Sequence, residues 1–194
     1  MLFDVKPLVL EGEGVRLEPL SQDHAQGLFN RGHYASDWDY MPRACFIDMA
    51  DTRQWIDEAL AMPGQVPFAI VEAGKGKAVG STRYLNIREE HKSVEIGWTW
   101  LGQEWQRTNI NTEVKLLLLS HAFERLGALR VEFKTDGRNL RSQRALERIG
   151  ATREGVLRNH MIVQKSYSRD SVYFSVIERE WPEVNKRLLL LRDR

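Results

Sequence analysis

The stretch SVEIGWTWLGQEWQRTNINTEVKLLLLSHAFERLG (93–127) joins three kinds of chain. It begins as an aromatic, strand-like run over 93–101. It then passes through a short polar loop, Trp105-Gln106-Arg107-Thr108-Asn109-Ile110-Asn111, and enters a long helix predicted over about 112–126. The loop is full of amide donors and holds no glycine. A helix N-terminus exposes unpaired N–H groups and about half a positive charge, so a loop wrapped around it suits phosphate oxygens. A loop that follows a central strand is also where a mixed sheet tends to place a ligand.

Working outward, two strand candidates precede this stretch, VPFAIVEA (66–73) and KAVGSTRYLNI (77–87). The turn Gly74-Lys75-Gly76 and the charged link Arg88 to Lys92 are short enough to imply an antiparallel meander. Farther upstream, Val15, Leu17 and Pro19-Leu20 predict a strand, after which Ser21 caps a helix through Phe29 with Asp23 in its first turn. Gly32 to Met49 carries four aromatics (Tyr34, Trp38, Tyr40, Phe46) and no clean period. A second helix is predicted from Asp51, with Trp55, Ile56, Ala59 and Leu60 on one face, stopping at Pro63-Gly64.

Downstream come the strand LRVEFKTD (129–136) and a helical NLRSQRALERIG (139–150) that ends on a glycine suited to the C′ position. Strands near 151–163 and 170–178 flank the polar turn Gln164-Lys165-Ser166. Trp181-Pro182 then opens a short helical tail (181–192) with proline at its first position. The order β-α-α-β-β-β-α-β-α-β-β predicts a single α+β domain, core about 15–178, in which helices cover both faces of a mixed, mostly antiparallel sheet. Four consecutive leucines in WPEVNKRLLLLRDR are too many for one helix face, so the tail either packs on the body or meets a partner in a homodimer.

Composition excludes several classes of function. At 194 residues the chain suits one domain. Its 28 basic residues are matched by 27 acidic ones, a balance that argues against a nucleic-acid-binding module. The single cysteine, Cys45, rules out an intramolecular disulfide framework and fits a reducing cytoplasm. No signal peptide is visible, and no stretch approaches the ~20 apolar residues of a membrane span. His24, His33, His91 and His121 show no metal spacing, so no metal is expected.

The element order, VEIGWTWL, QRTNIN, NLRSQRALERIGA and the closing VYFSV resemble the GCN5-related N-acetyltransferase (GNAT) superfamily, nearest to its ribosomal-protein alanine acetyltransferase branch (RimJ/RimL type). The likeness runs from Val15 to Glu178, and its motif N-x-x-S…A-L-x-x-x-G is moderately specific. It implies a fold in which the strand at 93–101 parts from the strand at 129–136 and acetyl-CoA enters the V-shaped gap. It also implies cofactor contacts from Trp98, Trp100 and Leu101, from Gln106, Arg107, Thr108, Asn109, Ile110, Asn111 and Thr112, and from Asn139, Ser142 and Arg144.

The family's phosphate loop usually reads Gln/Arg-x-x-Gly-x-Gly/Ala. Gln106 matches the first position, whereas Asn109 and Asn111 stand where small residues are expected. Asparagine is the next most tolerant residue for the left-handed conformation and caps helices, so the two are expected to stand in for glycine. On the plainer reading, Asn111 caps a structural helix and Glu113 answers its dipole. Trp98 and Trp100, spaced by two, are either ligand contacts or core.

By the resemblance, in which many members carry an acid on this strand, Glu95 is the general-base candidate, directly or through a water, against the plainer reading of a partly exposed strand glutamate paired with an arginine. An amide between Ile96 and Trp98 is expected to meet the thioester oxygen, and Gly97 fits a close approach. By the resemblance, Asn139 contacts the pantetheine amides and Ser142 sits near the sulfur, where its hydroxyl can donate; otherwise that hydroxyl bonds within the helix's first turn. His160 is a proton-relay candidate. Trp38, Tyr40 and Met41 are candidates for the acceptor wall, against simple loop packing, and Tyr173 faces either the gap or solvent.

The reaction so implied is direct acetyl transfer from acetyl-CoA to an amine, without an acyl-enzyme. At pH 7 an α-amine of pKa about 8 is roughly one-tenth neutral, whereas a lysine amine near 10.4 is neutral in only about four parts in ten thousand. A site without an obvious strong base therefore suits a protein N-terminal α-amine. The alternatives are a small amine (antibiotic, polyamine or amino acid) and, because the loop lacks glycine, a non-catalytic acyl-CoA-binding module.

Overall fold

The computed structural model describes residues 3–164 and 166–193 and forms one sheet of eight strands in the order β1-β2-β3-β4-β5-β6-β8-β7. The strands are β1 (Leu10–Glu11), β2 (Val15–Pro19), β3 (Val66–Glu72), β4 (Lys77–Arg88), β5 (Ser93–Leu101), β6 (Arg130–Asp136), β7 (Thr152–Val163) and β8 (Tyr167–Ile177). The helices are α1 (Ala25–Gly32), α2 (Met49–Ala61), α3 (Ile110–Ser120), α4 (Leu140–Ile149) and α5 (Trp181–Arg192). Only β5 and β6 pair in parallel; the other described pairings are antiparallel. The predicted element order is thus met, with the two-residue β1 added in front. Of the predicted turn at 164–166, Lys165 lies outside the described residues.

β3 explains the two-sided cover. Its side chains alternate between cores: Phe68 and Ile70 join the cluster built with α3 and α5, whereas Ala69 and Val71 join the one under α1 and α2. A strand sandwiched between helices has no solvent face, so its run is apolar throughout. Leu17, Tyr84, Val94, Val131 and Phe174 fill the first core, and Leu28, Trp38, Phe46, Trp55 and Trp100 the second.

Helix ends differ from expectation where a cap was missed. α2 starts at Met49 rather than Asp51, because the Asp48 side chain accepts the Asp51 N–H at 2.8 Å and caps the helix. Ser21 precedes a 3-10 turn, Gln22–His24, that leads into α1. α3 ends at Ser120 and widens into a π turn, His121–Arg125, where the Tyr84 hydroxyl donates to the Leu118 carbonyl at 2.5 Å. Gly150 sits at φ 97, the left-handed C-cap expected of it. The tail packs on the body: Trp181 stacks on Phe123 at 5.2 Å and Leu188 is buried, while Leu189 and Leu190 remain exposed. No helix among the described residues is long and apolar enough to cross a membrane.

The feature that positions the site is an extra residue in β5. Ser81 pairs with Trp100 but Arg83 pairs with Gly97, so β5 spends three steps where β4 spends two. Trp98, at φ 52, absorbs the difference as a bulge. On its other side β5 pairs with β6 only at Ser93–Arg130, Val94–Val131 and Glu95–Glu132. Past Glu95 the two strands part, and the β6-facing edge of Ile96–Leu101 has no strand partner.

Gly80 lies across from this bulge, paired with Leu101. A Cβ there would collide with the Trp100 carbonyl oxygen, a backbone atom that cannot rotate away. Gly80→Ala is expected to cost about 3 kcal/mol of stability, read as a lower denaturant midpoint at unchanged slope.

Candidate active site

Glu95 closes the narrow end of the wedge. It is only 2% exposed, so the reading of a partly exposed surface glutamate does not hold. Nor is its partner an arginine. Asn86 Nδ2 donates to Glu95 Oε2 at 2.7 Å, and Lys134 Nζ stands 3.5 Å from the same oxygen. Asn86 reaches it from a left-handed position, φ 48, in β4.

Strand alternation then gathers a polar cluster on the face that carries α1 and α2. Glu132, Lys134 and Asp136 share one face of β6, and Lys134 pairs in register with Tyr173 of β8. His160 reaches the same place. Its Nδ1 is 3.0 Å from Ser171 Oγ, and its ring meets Tyr173 edge-on at 5.8 Å. A register break in β7, with Asn159 at φ 48 and its N–H on Asp170 Oδ1 at 2.7 Å, turns His160 inward. Burial, then Lys134 and Arg169, push the His160 pKa down against a smaller upward pull from Glu95. Burial pushes the Tyr173 hydroxyl up. Tyr173 therefore faces the gap.

Two guanidiniums sit deeper. Arg83 is 2% exposed, with its Cζ 5.1 Å from the Trp55 ring and 4.5 Å from the Trp98 ring, and burial lowers it to about 10. Arg169 is 4% exposed. In both, Nε has no hydrogen-bond partner among the described residues.

The predicted acceptor wall divides. Trp38 is a core residue, 1% exposed and packed between Phe46 and Trp100, so its assignment to the wall is corrected to packing. Met41 leans on the same core. Tyr40 stands half-buried with Arg138 Cζ 5.7 Å from its ring. Gln164, in the β7–β8 turn, ties the two sides together: its Nε2 donates to the Trp38 carbonyl at 2.8 Å and its N–H to that of Pro42 at 3.2 Å.

At the wide end, the loop before α3 is organised differently from the asparagine-for-glycine expectation. The left-handed residue is Arg107, φ 61. Asn109 has φ −71, makes no cap, and donates instead to the Arg192 carbonyl of α5 at 2.7 Å. Asn111 lies inside the helix, so it is not the cap either. The loop needs no glycine at 109 or 111 because neither position takes a positive φ. Glu113 turns away from the dipole and accepts the N–H groups of Glu13 and Gly14 at 2.5 and 3.0 Å, clamping the β1–β2 turn onto α3. Gln106 is a stitch: it donates to Asp37 at 2.8 Å and to the Leu101 carbonyl at 2.9 Å, and accepts from Arg141 at 2.8 Å. Thr108 donates to the Trp105 carbonyl at 2.7 Å. A cleft of about 300 Å³ opens here, lined by Ser36, Asp37, Gln103, Gln106, Arg107 and Arg141.

Other cofactor candidates also resolve. Trp100 is core, 4% exposed, so only its backbone faces the wedge, as is true of Leu101. Trp98 lies half-buried over Arg83. Thr112 is buried and its hydroxyl accepts from Arg148 at 3.0 Å. Ile110 packs against the core. Asn139 caps α4, its side-chain oxygen accepting the Ser142 N–H at 3.0 Å, which leaves only its amide nitrogen free. The Ser142 hydroxyl makes no hydrogen bond among the described residues. Arg144 is exposed and makes no hydrogen bond or ion pair among the described residues; Arg141 is the helix residue that reaches the loop.

The sequence reading missed Asn86, Arg83, Lys134, Arg169 and Lys115. A signal existed for Lys134, since Glu132, Lys134 and Asp136 put charge at every second position of an interior strand. No group of three or more His, Cys, Asp or Glu among the described residues could hold a metal ion.

This arrangement has relatives. YdaF of Bacillus subtilis (strain 168), provisionally named a ribosomal N-acetyltransferase, is 32% identical over 114 residues, covering 57% of this chain and 61% of YdaF. The chain thus spans less than two thirds of that relative. A crystal structure of a provisionally named acetyltransferase from T. thermophilus is 40% identical, with TM-score 0.88 over 96% of this chain and 97% of that one. A GCN5-related N-acetyltransferase from Brucella melitensis is 28% identical, with TM-score 0.90 over 98% and 96% of the two chains. The acetyltransferase (GNAT) domain family matches residues 15–152, from the first core strand through α4, and by that match the chain belongs to the GNAT acetyltransferases.

Proposed function

We propose that this acetyltransferase moves the acetyl group of acetyl-CoA directly to an α-amine, with a protein N-terminus as acceptor. The observation that carries the proposal is the wedge: an unpaired strand edge at Ile96–Leu101 that ends on a buried carboxylate, Glu95. The donor set fits acetyl-CoA. Strand amides match an amide-containing arm, while Arg107 and Arg141, beside the start of α3, match its phosphates. When bound, acetyl-CoA supplies an acetyl group activated as a thioester.

The chain's own residues do the rest. Glu95 takes the proton that the acceptor nitrogen gives up, held in place by Asn86 and Lys134. His160, kept neutral by its surroundings, relays that proton outward. The bulge at Trp98 turns an amide of 96–98 toward the developing oxyanion. An N-terminal α-amine is already partly neutral at pH 7, which matches a site whose bases are a carboxylate and an imidazole. The provisional ribosomal name of YdaF points the same way.

One observation favours a second reading. The acceptor side is not lined by acid alone: Arg83, Lys134, Arg138 and Arg169 stand against Glu95, Glu132 and Asp136. Such a lining repels polyamines and cationic antibiotics but accepts the carboxylate of an amino acid. Following coenzyme A release with N-terminal peptides, free amino acids, spermidine and an aminoglycoside separates the readings. Turnover is expected on peptides bearing a free N-terminus and lost when that terminus is blocked. Turnover confined to free amino acids would replace the peptide reading, and turnover on none would leave a binding module.

A further inference from the structure

Lys115 lies where the helical pattern calls for a leucine. It is on the stripe of α3 that packs on the sheet with Leu118, Leu119 and Ala122, and it is 6% exposed. Its Nζ donates to Thr99 Oγ1 at 3.1 Å and stands 5.4 Å from the centroid of the Phe133 ring. Thr99 belongs to β5 and Phe133 to β6, both beyond the last paired couple Glu95–Glu132. The amine therefore spans the parting of the strands, on the floor of the wedge, with Glu95 above it on the opposite sheet face.

An ammonium has three N–H bonds, and Lys115 finds one hydrogen-bond acceptor among the described residues. The charged and titratable groups on neighbouring elements are engaged elsewhere. Glu113 of α3 holds the β1–β2 turn, and Arg148 of α4 donates to Thr112. On β5 and β6, Glu95 and Lys134 pair with each other on the far face. Tyr84 of β4 donates to the Leu118 carbonyl, with His121 Nδ1 3.4 Å from its hydroxyl. Burial alone then lowers Lys115 to about 7. A buried cation without a counter-ion folds less well than an apolar side chain of the same size. What it offers in return is a charge and two free N–H bonds where an anion can form.

The geometry points to Lys115 as the proton donor to the sulfur of coenzyme A as the acetyl group leaves it. This rests on the acetyl-CoA reading above. As the acceptor nitrogen bonds the acetyl carbon, the C–S bond breaks and its electron pair goes to sulfur. An N–H of Lys115 breaks and an S–H forms, while the acceptor's own proton goes to Glu95. Lys115 is reprotonated from water after coenzyme A departs. A group half-protonated near neutral pH suits this step better than the Ser142 hydroxyl, a weak acid.

The test compares wild type with Lys115→Met, which keeps the volume and removes the charge. Coenzyme A in its thiol form is titrated into each by calorimetry, at a pH about one unit below the usual thiol value of ~8.5, and kcat is followed from about pH 6 to about 9. Wild type is expected to lose kcat as pH rises and Lys115 gives up the proton that sulfur needs. Lys115→Met is expected to bind coenzyme A within about threefold of wild type and turn over about 100-fold more slowly without the alkaline fall in rate. Folding gives a check independent of ligand. Because the folded-state pKa lies below the unfolded one, the unfolded chain binds more protons between pH 7 and 10.5, so wild type gains stability across that window and Lys115→Met does not. Binding to both proteins with equal kcat and the same pH profile overturns the role of Lys115 while leaving the acetyl-CoA reading intact. An acetyl group found on Lys115 by mass spectrometry also overturns it, making the amine a nucleophile. No heat with either protein overturns the acetyl-CoA reading itself.

Discussion

Glu95→Gln is expected to lower kcat/KM at pH 7 by about 100- to 1,000-fold, with acetyl-CoA affinity unchanged. The substitution keeps the shape and leaves an oxygen to accept from Asn86 Nδ2, which lies 2.7 Å from the carboxylate, so the wedge should stay intact. What it removes is the buried carboxylate at the point where β5 and β6 part. Steady-state kinetics beside a calorimetric titration separates chemistry from binding. Unchanged kinetics would take Glu95 out of the mechanism and leave His160 as the remaining base of the cluster.

Gly97→Val is expected to cost about 100-fold in kcat/KM while the chain still folds. A Cβ at this position would lie 3.0 Å from Leu85 Cδ2 and 3.2 Å from Glu95 Oε1, both side-chain atoms. The neighbours can give way, so the fold survives, but the atom that yields includes the carboxylate oxygen required for proton transfer. The added methyls also fill the space beside the 96–98 amides. Circular dichroism and the thermal midpoint should stay near wild type, in contrast to Gly80→Ala, whose clash is with backbone. A Gly97→Val enzyme of full activity would show that Glu95 need not keep its position.

The two glycines illustrate what the sequence makes legible. Element order was readable because β3, β4 and β5 are separated by links too short for anything but a meander, and because Pro182 and Gly150 mark helix ends. The parting of β5 from β6 was reached through family resemblance; its local cause, one extra residue taken up by Trp98 at φ 52, leaves no trace in composition because tryptophan is an unusual residue for that conformation. For the same reason Asn109 and Asn111 misled: they look like glycine substitutes, yet the left-handed position is Arg107. Glu95 was named through the family resemblance, but its partners Asn86 and Lys134 lie on two neighbouring strands, and only register brings them together. Trp38 looked like a binding aromatic on an irregular loop and proved to be the lid of the α1/α2 core. Lys115 was hidden by its apolar neighbours, since a single lysine in KLLLL reads as the solvent face of the helix.

Amide hydrogen exchange of β5, followed with and without coenzyme A, tests the wedge most directly. The N–H groups along Ile96–Leu101 that point toward β6 should exchange readily in the free protein and slow by at least about tenfold when coenzyme A is present, while amides of β2 and β7 stay unchanged. Equal exchange in both conditions, at coenzyme A concentrations that saturate the calorimetric titration, would contradict the placement of the cofactor between β5 and β6.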